Sequence, residues 1–125
     1  MAARATDAVA WAGAPQVAEA KSSVCAAYER VRRALVANAT RNGGDEPTAQ
    51  LAVAVNARQV YVASSAHLLS VLADEPATPS DLAAAARKLA SLFQVLTLDG
   101  LAADPNVQGH DAADQTLSTI QRLCE

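Results

Sequence analysis

The sequence predicts an all-α protein, an up-down-up-down four-helix bundle, and three observations carry that reading. Prolines and glycines are confined to a few places: Pro15, Pro47, Pro76, Pro79 and Pro105, with Gly13, Gly43, Gly44, Gly100 and Gly109. The stretches between them are rich in Ala, Leu, Arg and Gln, all strong helix formers. Apolar residues recur there at helical spacing, and strand-like alternation is nowhere sustained. The helices fall at about 15–40, 48–74, 79–98 and 110–124, and short connections between them favour antiparallel neighbours.

In the first helix Val17, Val24, Tyr28, Val31 and Leu35 form one stripe, with Glu19, Glu29, Arg30 and Arg33 off it. The second differs. Its aliphatic residues cover more than half the circumference and leave a narrow polar strip of Asn56, Gln59, His67, Ser70 and Asp74, so several neighbours are expected to cover it. The third carries Leu82, Ala85, Leu89, Leu92, Phe93 and Leu96 on one face. Thr78-Pro79-Ser80-Asp81 resembles a capping box at its start, and Asp99-Gly100 supplies a stop. The fourth presents Ala113, Leu117, Ile120 and Cys124, with Asp111 placed to cap it. The segment 99–110 reads as the longest loop.

At 125 residues and 12.9 kDa the chain holds one domain, 15–125, preceded by an arm or linker over 1–14. Apolar residues at 51%, charged residues at 18% and a net charge of −3 exclude a typical disordered chain and give no basic footprint for nucleic acid. Four aromatics, Trp11, Tyr28, Tyr61 and Phe93, offer no stacking platform for bases or sugars. No run approaches the roughly 18–20 apolar residues that span a bilayer, and the first residues lack the apolar centre of a signal peptide. Alanine is abundant and arginine far outnumbers lysine, the codon bias of a high-GC bacterial genome.

Cys25 lies in the first half of helix one and Cys124 ends helix four. Up-down-up-down topology puts both at the same end of the bundle, which favours a disulfide. The alternative is two buried free thiols acting as small hydrophobes. A structural disulfide in an ordinary bacterium points outside the cytoplasm. No CxxC is present, so the pair reads as a staple and not a redox centre.

Val24-Cys25-Ala26-Ala27-Tyr28 leads into Val31-Arg32-Arg33-Ala34-Leu35, followed by Leu51-Ala52-Val53-Ala54-Val55-Asn56-Ala57-Arg58 and a closing Ile120-Gln121-Arg122-Leu123-Cys124. In these runs, and over most of the chain from about Ala14, the sequence resembles the extracytoplasmic C-terminal domain of actinobacterial, mainly mycobacterial, alanine- and proline-rich membrane-anchored proteins. The resemblance implies a proline-rich cytoplasmic segment and a single membrane span ahead of this domain, and it implies no activity. The chain departs from that pattern in carrying no anchor and beginning at Met1, as expected of a piece cut from a longer parent.

Few residues stand out for chemistry. Arg58 falls within the apolar sector of helix two shared by Leu51, Val62 and Leu69. It is either an edge arginine with a packed stem, a buried one needing a carboxylate or helix-end carbonyls, or an anchor for a partner's carboxylate. Trp11 is a lid on the bundle, an arm, or a contact for a partner or membrane interface. Val95 and Leu98 lie on the polar face of helix three, where Leu101 from the following loop either covers them or leaves an apolar patch for a partner. His67 reads as solvated and His110 has no specified partner. No metal site is encoded locally, and Tyr28, Tyr61, His67 and His110 are the residues with haem-ligand chemistry, Tyr61 and His67 diverging around helix two. Ser64 and Ser65 read as packing residues, with no nucleophile elbow or triad around them.

The expected function is a non-enzymatic interaction module of the bacterial cell envelope, on a membrane-anchored parent, with a protein partner and no resident cofactor. A homodimer is compatible with the alanine-rich faces. The alternatives are a carrier bundle holding a lipid or haem between its helices, and a cytosolic helical partner protein with free thiols.

Overall fold

The computed structural model describes residues 13–125; Trp11, and the expected arm as far as residue 12, lie outside the described residues. Four helices follow one another: α1 (Ala14–Ala39), α2 (Pro47–Asp74), α3 (Ser80–Leu101) and α4 (Val107–Leu123). They pack in chain order, α1 on α2, α2 on α3 and α3 on α4. Cross-helix bonds fix the antiparallel sense. Asn56 of α2 donates to Asn38 of α1, Arg58 of α2 reaches the Gly100 carbonyl of α3, and Ser65 reaches that of Ala90.

The core forms where the sequence stripes meet. Phe93, Leu68, Leu82, Leu89, Ile120 and Val24 are completely enclosed. Buried Ala27, Ala86, Ala90 and Ala113 among them let the helix axes approach closely. Most of the buried hydroxyls are hydrogen-bonded. Ser65 donates to the Ala90 carbonyl at 3.0 Å, while Thr97 and Thr116 bond back to carbonyls one turn earlier.

Helices α1 and α4 close the bundle differently. They share no broad packing seam, and the Cys25–Cys124 disulfide joins them, with its Cα atoms 5.7 Å apart. Bridging across that side requires a Cα separation of roughly 4.4–6.8 Å, which the antiparallel arrangement supplies. The two cysteines are therefore a staple and not free thiols.

Several expectations about helix ends are corrected. Gly100 does not stop α3. The helix runs to Leu101, and Ala103 takes the left-handed conformation (φ 61°) that a glycine usually fills. Asp104 N–H then bonds the Asp99 carbonyl at 2.8 Å and Ala103 N–H that of Gly100 at 3.2 Å, a Schellman closure. The capping box at Thr78 does not form, because the Thr78 hydroxyl turns back to the Glu75 carbonyl at 2.7 Å and Pro79 takes the cap position. Asp111 does not cap α4, since the helix begins a turn earlier. There Asn106 accepts from Gly109 N–H at 2.9 Å and donates to Asp99 at 2.7 Å. The connection within 99–110 shrinks to 102–106, leaving 40–46 as the longest, with Gly44 at φ +58° in its turn.

The expectations for α2 are also corrected. Its polar strip is not uniformly solvated, for Asn56 bonds Asn38 of α1 at 2.6 Å and His67 is half-buried beside Arg30 and Val71. Its apolar surplus is not covered by neighbours among the described residues. Leu51, Val55, Val62 and Leu69 are all exposed.

Candidate functional site

Two features of the bundle are of most interest for a ligand or partner: an apolar outer face on α2 and α3, and a cleft lined by all four helices. The outer face follows from helix geometry. Taking Ser65 as the direction from α2 to α3, Arg58 lies about 20° around the helix, Leu51 and Leu69 about 40°, Val62 about 60° and Val55 about 80°. These residues therefore line one edge of the α2–α3 seam, and from Leu51 to Leu69 the row runs about 27 Å.

On α3 the complementary row is Val95, Leu98 and Leu101, at i, i+3 and i+6. Leu101 shares the face of Ala90, which looks at α2, and Leu98 and Val95 step progressively outward. Leu101 is part of α3, not of a loop, and covers neither neighbour. Leu98 and Leu101 are each 66% exposed and Val95 43%.

Arg58 sits within this face as an edge residue. Its Nη2 donates to the Gly100 carbonyl at 3.2 Å, so one guanidinium N–H is used on a carbonyl in the last turn of α3. Gly100 eases that approach, because a Cβ there would stand 3.3 Å from Arg58 Nε, a tight contact. No carboxylate pairs with Arg58 among the described residues.

The cleft lies at the end away from the disulfide, where the C-terminal half of α1 and the N-terminal half of α4 part. It encloses about 220 Å³. Its floor is the Tyr61–Phe93 pair, stacked with ring centroids 5.2 Å apart and planes 15° from parallel. The His110 ring is tilted against Tyr61 at 6.2 Å, and Asp114, one turn further along α4, completes the polar rim. Burial raises the Tyr61 pKa above its ordinary value, and the Asp114 charge adds to that.

This juxtaposition was not legible from helix two alone. Tyr61 and His67 do diverge, but Tyr61 and His110, forty-nine residues apart in sequence on α2 and α4, share one cleft. Tyr28 lies at the opposite end, beside the disulfide, where burial likewise raises its pKa. Ser64 and Ser65 are buried, and Ser65 is committed to Ala90. Arg30 stands by His67, while Arg32 pairs with Glu29 at 2.6 Å on the surface.

Among the described residues no three His, Cys, Asp or Glu side chains gather in one place, and no helix is long and apolar enough to cross a membrane. No protein-family model, curated protein or solved structure matches the chain.

Proposed function

We propose that this chain is a non-enzymatic interaction module, and that it docks a helical segment of a partner protein along the α2–α3 face. The observation that carries the reading is the row Leu51, Val55, Val62 and Leu69, left exposed beside Leu98 and Leu101. An exposed, largely apolar face of this length on a small domain supports an interaction role. Its aliphatic rows at helical spacing suit an amphipathic helix, with an acidic residue opposite Arg58.

A protein partner fits better than a lipid surface. Interfacial helices present aromatic anchors on the apolar side and Lys or Arg along the polar one. Here Tyr28 and Phe93 are buried and Tyr61 half-buried, so the described part of the face is aliphatic apart from Arg58 and carries no aromatic anchor.

The disulfide supports an extracytoplasmic location, since such bridges persist in oxidising compartments. The resemblance to domains of membrane-anchored actinobacterial envelope proteins supports the same location and a tethered parent.

The test is site-specific photocrosslinking in cells of the source bacterium, with the probe at Val62 on the face or at Arg33 away from it. A discrete protein adduct from Val62 that is absent from Arg33, and lost when Leu98 is changed to Asp, is expected. Equal adducts from both positions, or none from Val62, would contradict the proposal.

A further inference from the structure

The cleft between α1 and α4 has a chemistry distinct from the apolar face. Its walls are aliphatic, from Leu35, Val60, Leu96 and Leu117, and its floor is the stacked Tyr61–Phe93 pair. Lysine and arginine are missing from its lining, and Asp114 supplies the one carboxylate. Asp114 has no ion-pair partner among the described residues, and the Tyr61 hydroxyl has no hydrogen-bond partner there. Burial first, and then the Asp114 charge, raises the Tyr61 pKa.

We propose that this cleft binds a small organic amine, its ammonium group on Asp114 and its apolar body against the Tyr61–Phe93 pair. Charge decides the sign of the ligand. An anion entering the cleft meets the Asp114 carboxylate and the electron-rich rings with no lysine or arginine to offset them, whereas an ammonium is attracted by both. Volume decides its size. About 220 Å³ is below the roughly 300–1,000 Å³ of pockets that hold drug-sized ligands. A macrocycle such as haem does not fit, although Tyr61 and His110 stand side by side. A single ring or short branched chain does. The Tyr61 hydroxyl and the His110 imidazole remain as hydrogen-bonding groups that orient the amine end.

The experiment is an amide-detected NMR titration of the oxidised protein with phenethylamine, repeated with hydrocinnamate as an anion of similar shape. Phenethylamine should give saturable shifts centred on Tyr61, Phe93 and residues 110–117. Asp114→Asn, at an exposed position that leaves the fold intact, should weaken binding about tenfold, the loss expected for one charge-assisted contact. Hydrocinnamate should bind more weakly than the amine. The proposal is overturned if phenethylamine gives no saturable shifts, if Asp114→Asn binds it as well as the parent protein, or if the anion binds as tightly. A matching melting temperature for Asp114→Asn ensures that weakened binding reflects the lost carboxylate.

Discussion

Arg58 and Gly100 fit one another across the α2–α3 seam. The guanidinium donates to the glycine carbonyl at 3.2 Å, and a methyl group at position 100 would stand 3.3 Å from Arg58 Nε. A glycine that reads in the sequence as a helix stop thus provides clearance for an arginine forty-two residues earlier. The antiparallel register places Leu98 and Leu101 beside the stretch of α2 between Val55 and Val62.

Because Arg58 is half-exposed and held by one carbonyl, Arg58→Ala should cost only about 1 kcal/mol of stability, the worth of one hydrogen bond plus some stem packing. Urea unfolding measures this. A loss above about 3 kcal/mol would mean a buried ion pair and contradict the edge position.

Ala103 holds a left-handed backbone (φ 61°) at the end of α3. An L-residue with a Cβ is disfavoured there by about 1–2 kcal/mol, partly offset by the greater chain entropy of an unfolded glycine. Ala103→Gly should therefore raise stability by up to about 1 kcal/mol, seen as a higher melting temperature. A lower melting temperature would show that α3 does not close in this way.

The tyrosines give a pH test. Both Tyr28 and Tyr61 have pKa values raised above 10.0, burial being the first cause for each. The folded state therefore favours the neutral phenol, so stability is unaffected below about pH 10 and falls as pH rises through the raised values. Tyrosinate absorbance in alkaline titration should show both groups ionising later than free tyrosine. Asp114→Asn should bring the Tyr61 step down and leave that of Tyr28 in place, because Asp114 acts on Tyr61 alone. An unchanged pair of steps would separate Asp114 from Tyr61.

The disulfide closes a loop with a sequence separation of 99, for which chain entropy gives at most about 4.7 kcal/mol and typical bridges give about 2–4 kcal/mol. Reduction should lower stability by that order. Amide hydrogen exchange should then quicken first in α1 and α4, which lack a broad seam of their own, and last at the α2–α3 core around Leu68 and Leu89. Equal loss of protection in all four helices would mean that the α1–α4 side does not depend on the bridge.

Much of the fold was legible because helix formers, breakers and apolar spacing agree along this chain. The stripes Val24–Tyr28–Val31 and Leu82–Leu89–Phe93 are both core, and topology alone brought Cys25 to Cys124. Helix ends were less legible, since side-chain competition decides them. Thr78 turned to Glu75 instead of capping α3, Asn106 displaced Asp111, and Ala103 did the work expected of Gly100. The apolar excess of α2 was visible, yet its outcome was not. Periodicity counts apolar residues without saying which neighbour covers them, so Leu51 and Val62 were expected inside and lie at the surface. Arg58 was legible as an intruder in that sector, while its Gly100 partner required the antiparallel register. The Tyr61–His110 cleft depends on side chains from separate helices meeting across the bundle, and no local spacing encodes that.

Thiol trapping in cells of the source organism tests both the staple and the proposed extracytoplasmic location. Intact cells would be treated with an alkylating reagent, lysed in denaturant, and the protein digested without reduction for mass spectrometry. One linked peptide joining Cys25 to Cys124 is expected, with neither cysteine alkylated. Recovery of both cysteines alkylated would contradict the staple and the extracytoplasmic location that rests on it.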